Sequence, residues 1–484
     1  TTPSLIYWDW LRWGFDAILG NPPWDKVLPL EREFFAAYDP SVLLVPTARE
    51  RRPKYDALRR AARIRRRWKE YTETFERTRR FVDACYQHQV VEINGHQGKK
   101  RTSGHGDQYR YFVEKCWVLL GPKGRMGLVL PNSFYNVEGA TGVRRLVFEK
   151  SRLELLVGFT NQQGLFEIGR GQRFCLITLQ KGETTQKLTI KFGLDREDWL
   201  EKERWRDEAQ ELSVDTLRKL SPEHLCLPEL SSSVQVELLE RLYGEGSTTF
   251  GMLLERWKMS LYQEMNMTND SRRFSRTNEV LRRLNPTELG DPRVEPLRSR
   301  LLASGWMVVH EKGTFHAYDH RLKTHPRYLC ARARLEEVDG LGRKGRAIEA
   351  SQFFRLVARS TIHATESEKS VFCIVPPGVV VGNSALTESA PHQRPNARAL
   401  MMVALCNARP FSLAARLRFG TNLNQFLLKS LPIPPLEPEA ERLLAHLALG
   451  LTCTDGLYEP LFREQLGSEV PFEPLSETAR GLSR

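Results

Sequence analysis

No apolar run in these 484 residues approaches the roughly 20 that span a bilayer, so a membrane-spanning chain is not expected. Cysteine is sparse. The eight (Cys85, Cys116, Cys175, Cys226, Cys330, Cys373, Cys406, Cys453) stand tens of residues apart, without the paired spacing of zinc sites. Scattered thiols of this kind suit a reducing cytoplasm, the location expected here, and no metal is expected. The start, Thr1-Thr2-Pro3-Ser4, has neither an initiator Met nor the basic-then-apolar pattern of a signal peptide, and reads as a cut end. Internal repeats and low-complexity tracts are absent, which argues against solenoids and disordered linkers. Ala440 to Arg484 contains no strand running into spaced glycines. Gly340-Leu341-Gly342-Arg343-Lys344-Gly345 has the spacing of a dinucleotide loop, but the Leu335-Glu336-Glu337-Val338-Asp339 before it is too acidic for a buried strand. It reads as a basic surface loop.

What is present is an ordinary globular composition, 41% hydrophobic and 27% charged, on a chain long enough for two or three domains. The net charge of +13 implies a polyanionic partner, because Lys and Arg gain affinity by displacing counterions condensed on phosphates. Nucleic acid is the first candidate and an anionic membrane the second. Arg49 to Arg80 holds fourteen basic residues against five acidic ones, while Leu58, Ala62, Ile64, Trp68, Tyr71, Phe75 and Val82 recur at helical spacing. One or two basic amphipathic helices are predicted, their cations serving either as a solvated face or as phosphate contacts.

Phe15, Ala17, Ile18 and Leu19 read as a buried strand that stops at Gly20-Asn21-Pro22-Pro23-Trp24, a rigid turn. Gly95 to Gly106 reads as a loop, Tyr109 to Leu120 as a helix running into the turn Gly121-Pro122-Lys123-Gly124, and Met126 to Leu130 as a strand. A helix over Thr141 to Lys150 leads to a strand over Leu153 to Phe159, and Phe174 to Gln180 and Leu188 to Phe192 read as further strands. The alternation predicts an α/β sheet over residues 1–200, with the basic helical insertion at about 25–105 and an antiparallel hairpin at its end. Residues 201–246 are charged and irregular, which suits a linker. Beyond them a mixed α+β domain is expected over 247–436, with strands such as Met307-Val308-Val309, Val371 to Val375 and Val379-Val380-Val381 and a helix over Ala397 to Phe419. Residues 437–484 read as a helical tail.

An exocyclic amino nitrogen is a poor nucleophile because its lone pair is delocalised into the ring, so an enzyme that alkylates it needs fixed acceptors rather than a strong base. Asn21 offers a side-chain carbonyl. Pro22 offers a backbone carbonyl where proline rings fix φ and keep the preceding residue extended. Two acceptors can thus converge with little reorganisation. Trp24 supplies a π-face for a base turned out of a duplex, and stacking of that kind contributes roughly 1–3 kcal/mol against the cost of unstacking.

Phe15-Asp16-Ala17-Ile18-Leu19-Gly20-Asn21-Pro22-Pro23-Trp24 resembles the catalytic motif of adenine-N6 DNA methyltransferases. Downstream segments match in the same order: Tyr109 to Phe112, Gly124 to Ser133, Gly139 to Arg145, and Asn161 to Phe166. Thr421-Asn422-Leu423-Asn424 with Leu431-Pro432-Ile433-Pro434 resembles the end of the target-recognition domain in large restriction-modification methylases of the Eco57I type, a pattern shared by relatives in bacteriophage-exclusion systems. The resemblance implies the C-terminal half of a Rossmann-like sheet dependent on S-adenosylmethionine, followed by a recognition domain that reads double-stranded DNA. It implies that Asn21, Pro22, Pro23 and Trp24 hold a flipped adenine, that Asp16 lies near the cofactor, and that Arg416, Arg418, Asn422 and Asn424 touch DNA. One departure is serious. The cofactor's Gly-rich methionine loop is not found, so a missing N-terminal half or a complementary chain is expected to supply it, and the isolated chain is expected to be inactive. Two other readings share the motif. One is a DNA-binding specificity fragment without activity of its own; the other is a protein-glutamine or RNA methyltransferase, whose substrates pose the same problem of nucleophilicity.

Overall fold

In the computed structural model residues 14–92, 99–101, 106–201, 204–284, 290–321, 324–336, 343–360, 370–418 and 425–475 are described. The chain divides into two compact units, Thr1–Glu237 and Leu238–Arg484.

The first unit is built on six strands: β1 (Phe15–Gly20), β2 (Leu120–Pro131), β3 (Ser151–Thr160), β4 (Arg173–Lys181), β5 (Lys187–Leu194) and β6 (Gln210–Ser213). Their order is β1-β2-β4-β3-β5-β6. β1 lies parallel to β2 and β3 parallel to β5, while β4 runs antiparallel between β2 and β3. The expected hairpin of 174–180 with 188–192 is therefore not formed, because β3 separates β4 from β5. An alternating pattern tells which face a side chain takes, not which strand sits beside it. The run Leu156–Phe159, buried on both faces, is what suits β3 to that central place.

Between β1 and β2 comes the insertion, with helices α1 (Ala48–Arg60) and α2 (Ala62–Cys85) where basic amphipathic helices were predicted. Phe34, Phe35, Tyr55, Trp68 and Tyr71 give it a small aromatic core of its own, ring centroids 4.8 to 5.7 Å apart. The predicted loop Gly95 to Gly106 falls mostly outside the described residues. Next, α3 (Gln108–Leu119) runs directly into β2, and Gly121 to Gly124, read as a turn, is absorbed into that strand beside a shift in register against β1. α4 (Thr141–Lys150) buries Val143, Leu146, Val147 and Phe148 and leads into β3. Its Arg144, fully buried, donates to the carbonyls of Phe134 (2.6 Å) and His224 (2.8 and 2.9 Å). That ties in residues 221–227. The stretch 201–246, read as a linker, thus supplies β6, the helix Val214–Leu220 and the buried Leu225, Cys226, Leu227 and Leu230. Its dense surface charge hides a short apolar pattern.

In the second unit β7 (Leu261–Tyr262), β8 (Phe274–Arg276), β9 (Trp306–His310), β10 (Tyr328–Ala331), β11 (Arg355–Arg359), β12 (Phe372–Val375), β13 (Val379–Val381) and β14 (Ala385–Glu388) form two four-stranded sheets. Their orders are β7-β14-β11-β12 and β8-β10-β9-β13. The single helix expected over Ala397 to Phe419 is two, α5 (Asn396–Asn407) and α6 (Arg409–Arg418), broken at the extended Ala408. Pro410 cannot continue a helix but is accommodated in the first turn of a new one. The expected tail is core: Ala448, Leu449 and Leu451 of α7 (Pro438–Thr452) join Met401, Met402 and Leu405 of α5 in one cluster. The Glu264 side chain, fully buried, clasps Arg355 at 2.6 Å and accepts from Val381 N at 2.7 Å, so β11 and β13 are fastened through one carboxylate.

Candidate active site

Because β1, β2 and β3 run parallel, their carboxyl ends lie along one edge of the first sheet, where open α/β sheets bind ligands. An asparagine follows each strand: Asn21, Asn132 and Asn161. Asn21 is exposed, Pro22 is buried, Pro23 is exposed and Trp24 is half-buried. The exit of this turn is held, since Asp25 O accepts from Gln108 N (2.9 Å) and Val27 N donates to Gly106 O (2.9 Å). β1 on one side and the start of α3 on the other thus fix the direction of the turn.

Trp24 faces an aromatic wall. Its ring lies 6.2 Å from Phe166, edge on, and 6.2 Å from Phe174, tilted by 33°. Phe159 stacks on the far side of Phe174 at 5.2 Å. The indole N–H of Trp24 is buried without a hydrogen-bond partner among the described residues. Phe166 sits in the loop after β3, shaped by fully buried Asn161: its amide donates to Phe166 O (3.1 Å) and Ile168 O (3.0 Å), and its carbonyl accepts from Phe166 N (3.0 Å). One side chain thereby replaces a ladder of backbone bonds. Ser133 Oγ donates to the hydroxyl of Tyr109, whose burial raises its pKa.

The structure brings Asn21 to Trp24 together with the Asn161–Phe166 loop that the sequence had matched separately. Phe174 and Phe159 carried no signal beyond strand periodicity, and only the folded sheet brings them up to Trp24. Asp16 is exposed on β1. Arg416 is exposed on α6, and Arg418 ends that helix; Asn422 and Asn424 lie outside the described residues, so the four proposed DNA contacts do not form a described site. Gly340 to Gly342 lie outside them as well. Among the described residues no three His, Cys, Asp or Glu side chains gather as a metal set, and no helix is long and apolar enough to cross a membrane.

β1 was expected to be buried and is not. Phe15 is 46% and Leu19 85% exposed, because β1 ends the sheet and no described residue pairs with its outer edge. On α3 the apolar Phe112 and Val118 are exposed as well, at 45% and 59%.

Among solved structures, the chain is similar to the Type IIL restriction-modification enzyme MmeI in complex with DNA, at 11% identity and a TM-score of 0.40 over 78% of this chain and 47% of that one. It is similar to a nuclease-deletion mutant of the Type ISP restriction-modification enzyme LlaGI at 12% and 0.40, over 92% and 42%. A modification subunit of a putative type I restriction enzyme from Vibrio vulnificus YJ016 gives 12% and 0.20, over 23% and 28%. The chain spans less than half the length of each. No curated protein matches. Residues 85–166, which run from the end of α2 through α3, β2, α4 and β3 to Phe166, match the model of the Eco57I restriction-modification methylase family.

Proposed function

We propose that this chain is the catalytic-strand and DNA-reading portion of an S-adenosylmethionine-dependent DNA methyltransferase, acting on adenine N6 in a restriction-modification or phage-defence system. The observation that carries the reading is the Asn21–Trp24 turn at the carboxyl end of β1, facing the ring of Phe166. In this reading the Asn21 side-chain carbonyl and the Pro22 backbone carbonyl accept from the amino group and hold its nitrogen in line. Trp24, backed by Phe166 and Phe174, offers a ring face to a base extruded from the duplex. The residues of the second unit, 250–436, read the site.

The bound cofactor supplies the methyl group. The Gly-rich loop expected to hold it is not matched in this sequence, and the glycines after β3 (Gly164, Gly169 and Gly171) belong to the loop folded around Asn161. Support for an added half comes from the uncovered apolar groups of β1. A segment pairing with the outer edge of β1 would continue the sheet and give Phe15 and Leu19 a partner surface.

The test is modification-sensitive sequencing of DNA from a methylation-deficient host that expresses this chain joined to its upstream coding sequence, with Asn21→Ala as control. Methyl-adenine at one defined motif, absent in the control, is the expected result. Near-normal methylation by Asn21→Ala rules out the assigned role. Labelled methyl appearing in protein or RNA instead of DNA favours the other substrates.

A further inference from the structure

Arg49 to Arg80 carries nine of the chain's thirteen net positive charges, and the structure separates its cations into two kinds. Some build the insertion. Arg51 donates to the carbonyls of Val45 (2.7 Å) and Pro46 (3.0 Å), and Lys54 to Ser41 Oγ (2.6 Å). Arg59 pairs with Glu31 and lies over the rings of Phe35 (5.0 Å) and Trp68 (5.2 Å). Others build nothing. Arg52, Arg60, Arg63, Arg65, Arg79 and Arg80 are exposed, and their side chains make no ion pair or hydrogen bond among the described residues. Arg66, Lys69 and Arg77 reach Glu70 and Glu73 only at 3.5 to 3.8 Å on the exposed surface, where such pairs contribute about 0–1 kcal/mol and are screened by salt.

Two features make this surface more than a solvated face. The first turn of α2 holds no acidic residue and no side-chain cap, so Arg63 and Arg65 add to the positive end of the helix dipole instead of offsetting it. Folding alone would favour the opposite charge there. The second feature is reach: at about 1.5 Å per residue the 24 residues of α2 extend about 36 Å, the length of one turn of duplex DNA. A lipid surface fits less well, because Trp68 and Tyr71 of α2 are engaged by Phe34 and Phe35 and Phe81 is the one large apolar side chain among its described residues that is exposed.

We infer that α1 and α2 form an arm that grips the phosphate backbone of duplex DNA without reading its sequence. This rests on the reading of DNA as the substrate, and adds a binding surface separate from both the Asn21 turn and the recognition residues. Its place in the chain, between β1 and α3, lets it hold the duplex beside the turn into which a base must be extruded.

The test uses the full chain and a labelled 30-base-pair duplex of random sequence, titrated at salt concentrations from about 50 to 200 mM. Arg63→Gln, Arg65→Gln, Arg79→Gln and Arg80→Gln are combined in one variant, and the same four positions are changed to Lys in a second. Removing one phosphate contact lowers the slope of log affinity against log salt by about 0.9. The wild type is therefore expected to lose on the order of 100-fold more affinity than the Gln variant over this range if all four contacts are made. The Lys variant is expected to follow the wild type. Circular dichroism verifies that both variants fold. Equal slopes for wild type and the Gln variant, with duplex binding intact, overturn the arm alone. A wild-type chain that binds no duplex overturns the reading of the substrate and the arm with it.

Discussion

At the scale of single residues, the first unit relies on polar side chains buried in full: Asn161 shapes the loop that carries Phe166, and Arg144 gathers the carbonyls of Phe134 and His224. The second unit buries two histidines. His310 bonds Thr314 Oγ1 at 2.7 Å and His320 reaches Asp455 at 3.5 Å. Burial lowers the pKa of both; for His310 the neighbouring His320 and the guanidinium groups of Arg293, Arg355 and Arg298 lower it further, while for His320 the carboxylate of Asp455 opposes the fall. A histidine lowered in the folded state is neutral there when the unfolded chain has begun to take up protons. Its contribution is complete above the usual value of 6.5 and is lost as pH falls below that toward the folded value. Each group then costs up to about 1.4 kcal/mol per pH unit. Urea midpoints measured from about pH 7.5 down to about pH 5.5 are expected to fall, and His310→Gln is expected to flatten the decline. A midpoint that holds constant over this range would show that the pair does not titrate on unfolding.

Elements were legible to different degrees. The strands around Met126 and Ile177 follow from apolar periodicity, because buried and partly exposed residues alternate along them, whereas the helix over Thr141 to Lys150 and the run Leu156–Phe159 follow from apolar content, being buried nearly throughout. Where the chain departs from periodicity, the reading failed: Pro410 splits a helix that hydrophobicity alone would continue, and Gly121 to Gly124 joins a strand as an irregular segment. The way the arm is anchored was not legible. Glu114 on α3, buried, accepts from the backbone of Gln87 and His88 at 2.7 to 3.1 Å. Gly142 on α4 approaches the same segment so closely that an added Cβ would lie 2.0 Å from His88 O. A clash with backbone cannot be relieved by a change of rotamer, so Gly142→Ala is expected to destabilise the first unit by about 1–3 kcal/mol, read from urea unfolding. An unchanged midpoint would mean that the segment after α2 is not held by α4.

For the whole molecule, the decisive feature is the outer edge of β1, which no described residue pairs with. A sheet that offers Phe15 and Leu19 to water is poorly arranged to hold a small polar cofactor on its own. Calorimetric titration of this chain with S-adenosylmethionine is expected to give no measurable heat, and co-expression with the upstream coding sequence is expected to restore it. Tight binding by the chain alone would refute the proposal of an added half. The sequence by itself determined the Asn21–Trp24 turn on which the proposed chemistry rests, the basic helices after it and the strand-helix alternation, because these depend on residue type and on spacing over a few turns. Only the tertiary structure decided that β1 is an exposed edge, that β4 enters between β2 and β3, that 201–230 and 438–461 complete the cores, and that Phe174 stands beside Trp24. Those outcomes depend on which surfaces meet across long stretches of chain, and local periodicity carries no information about that choice.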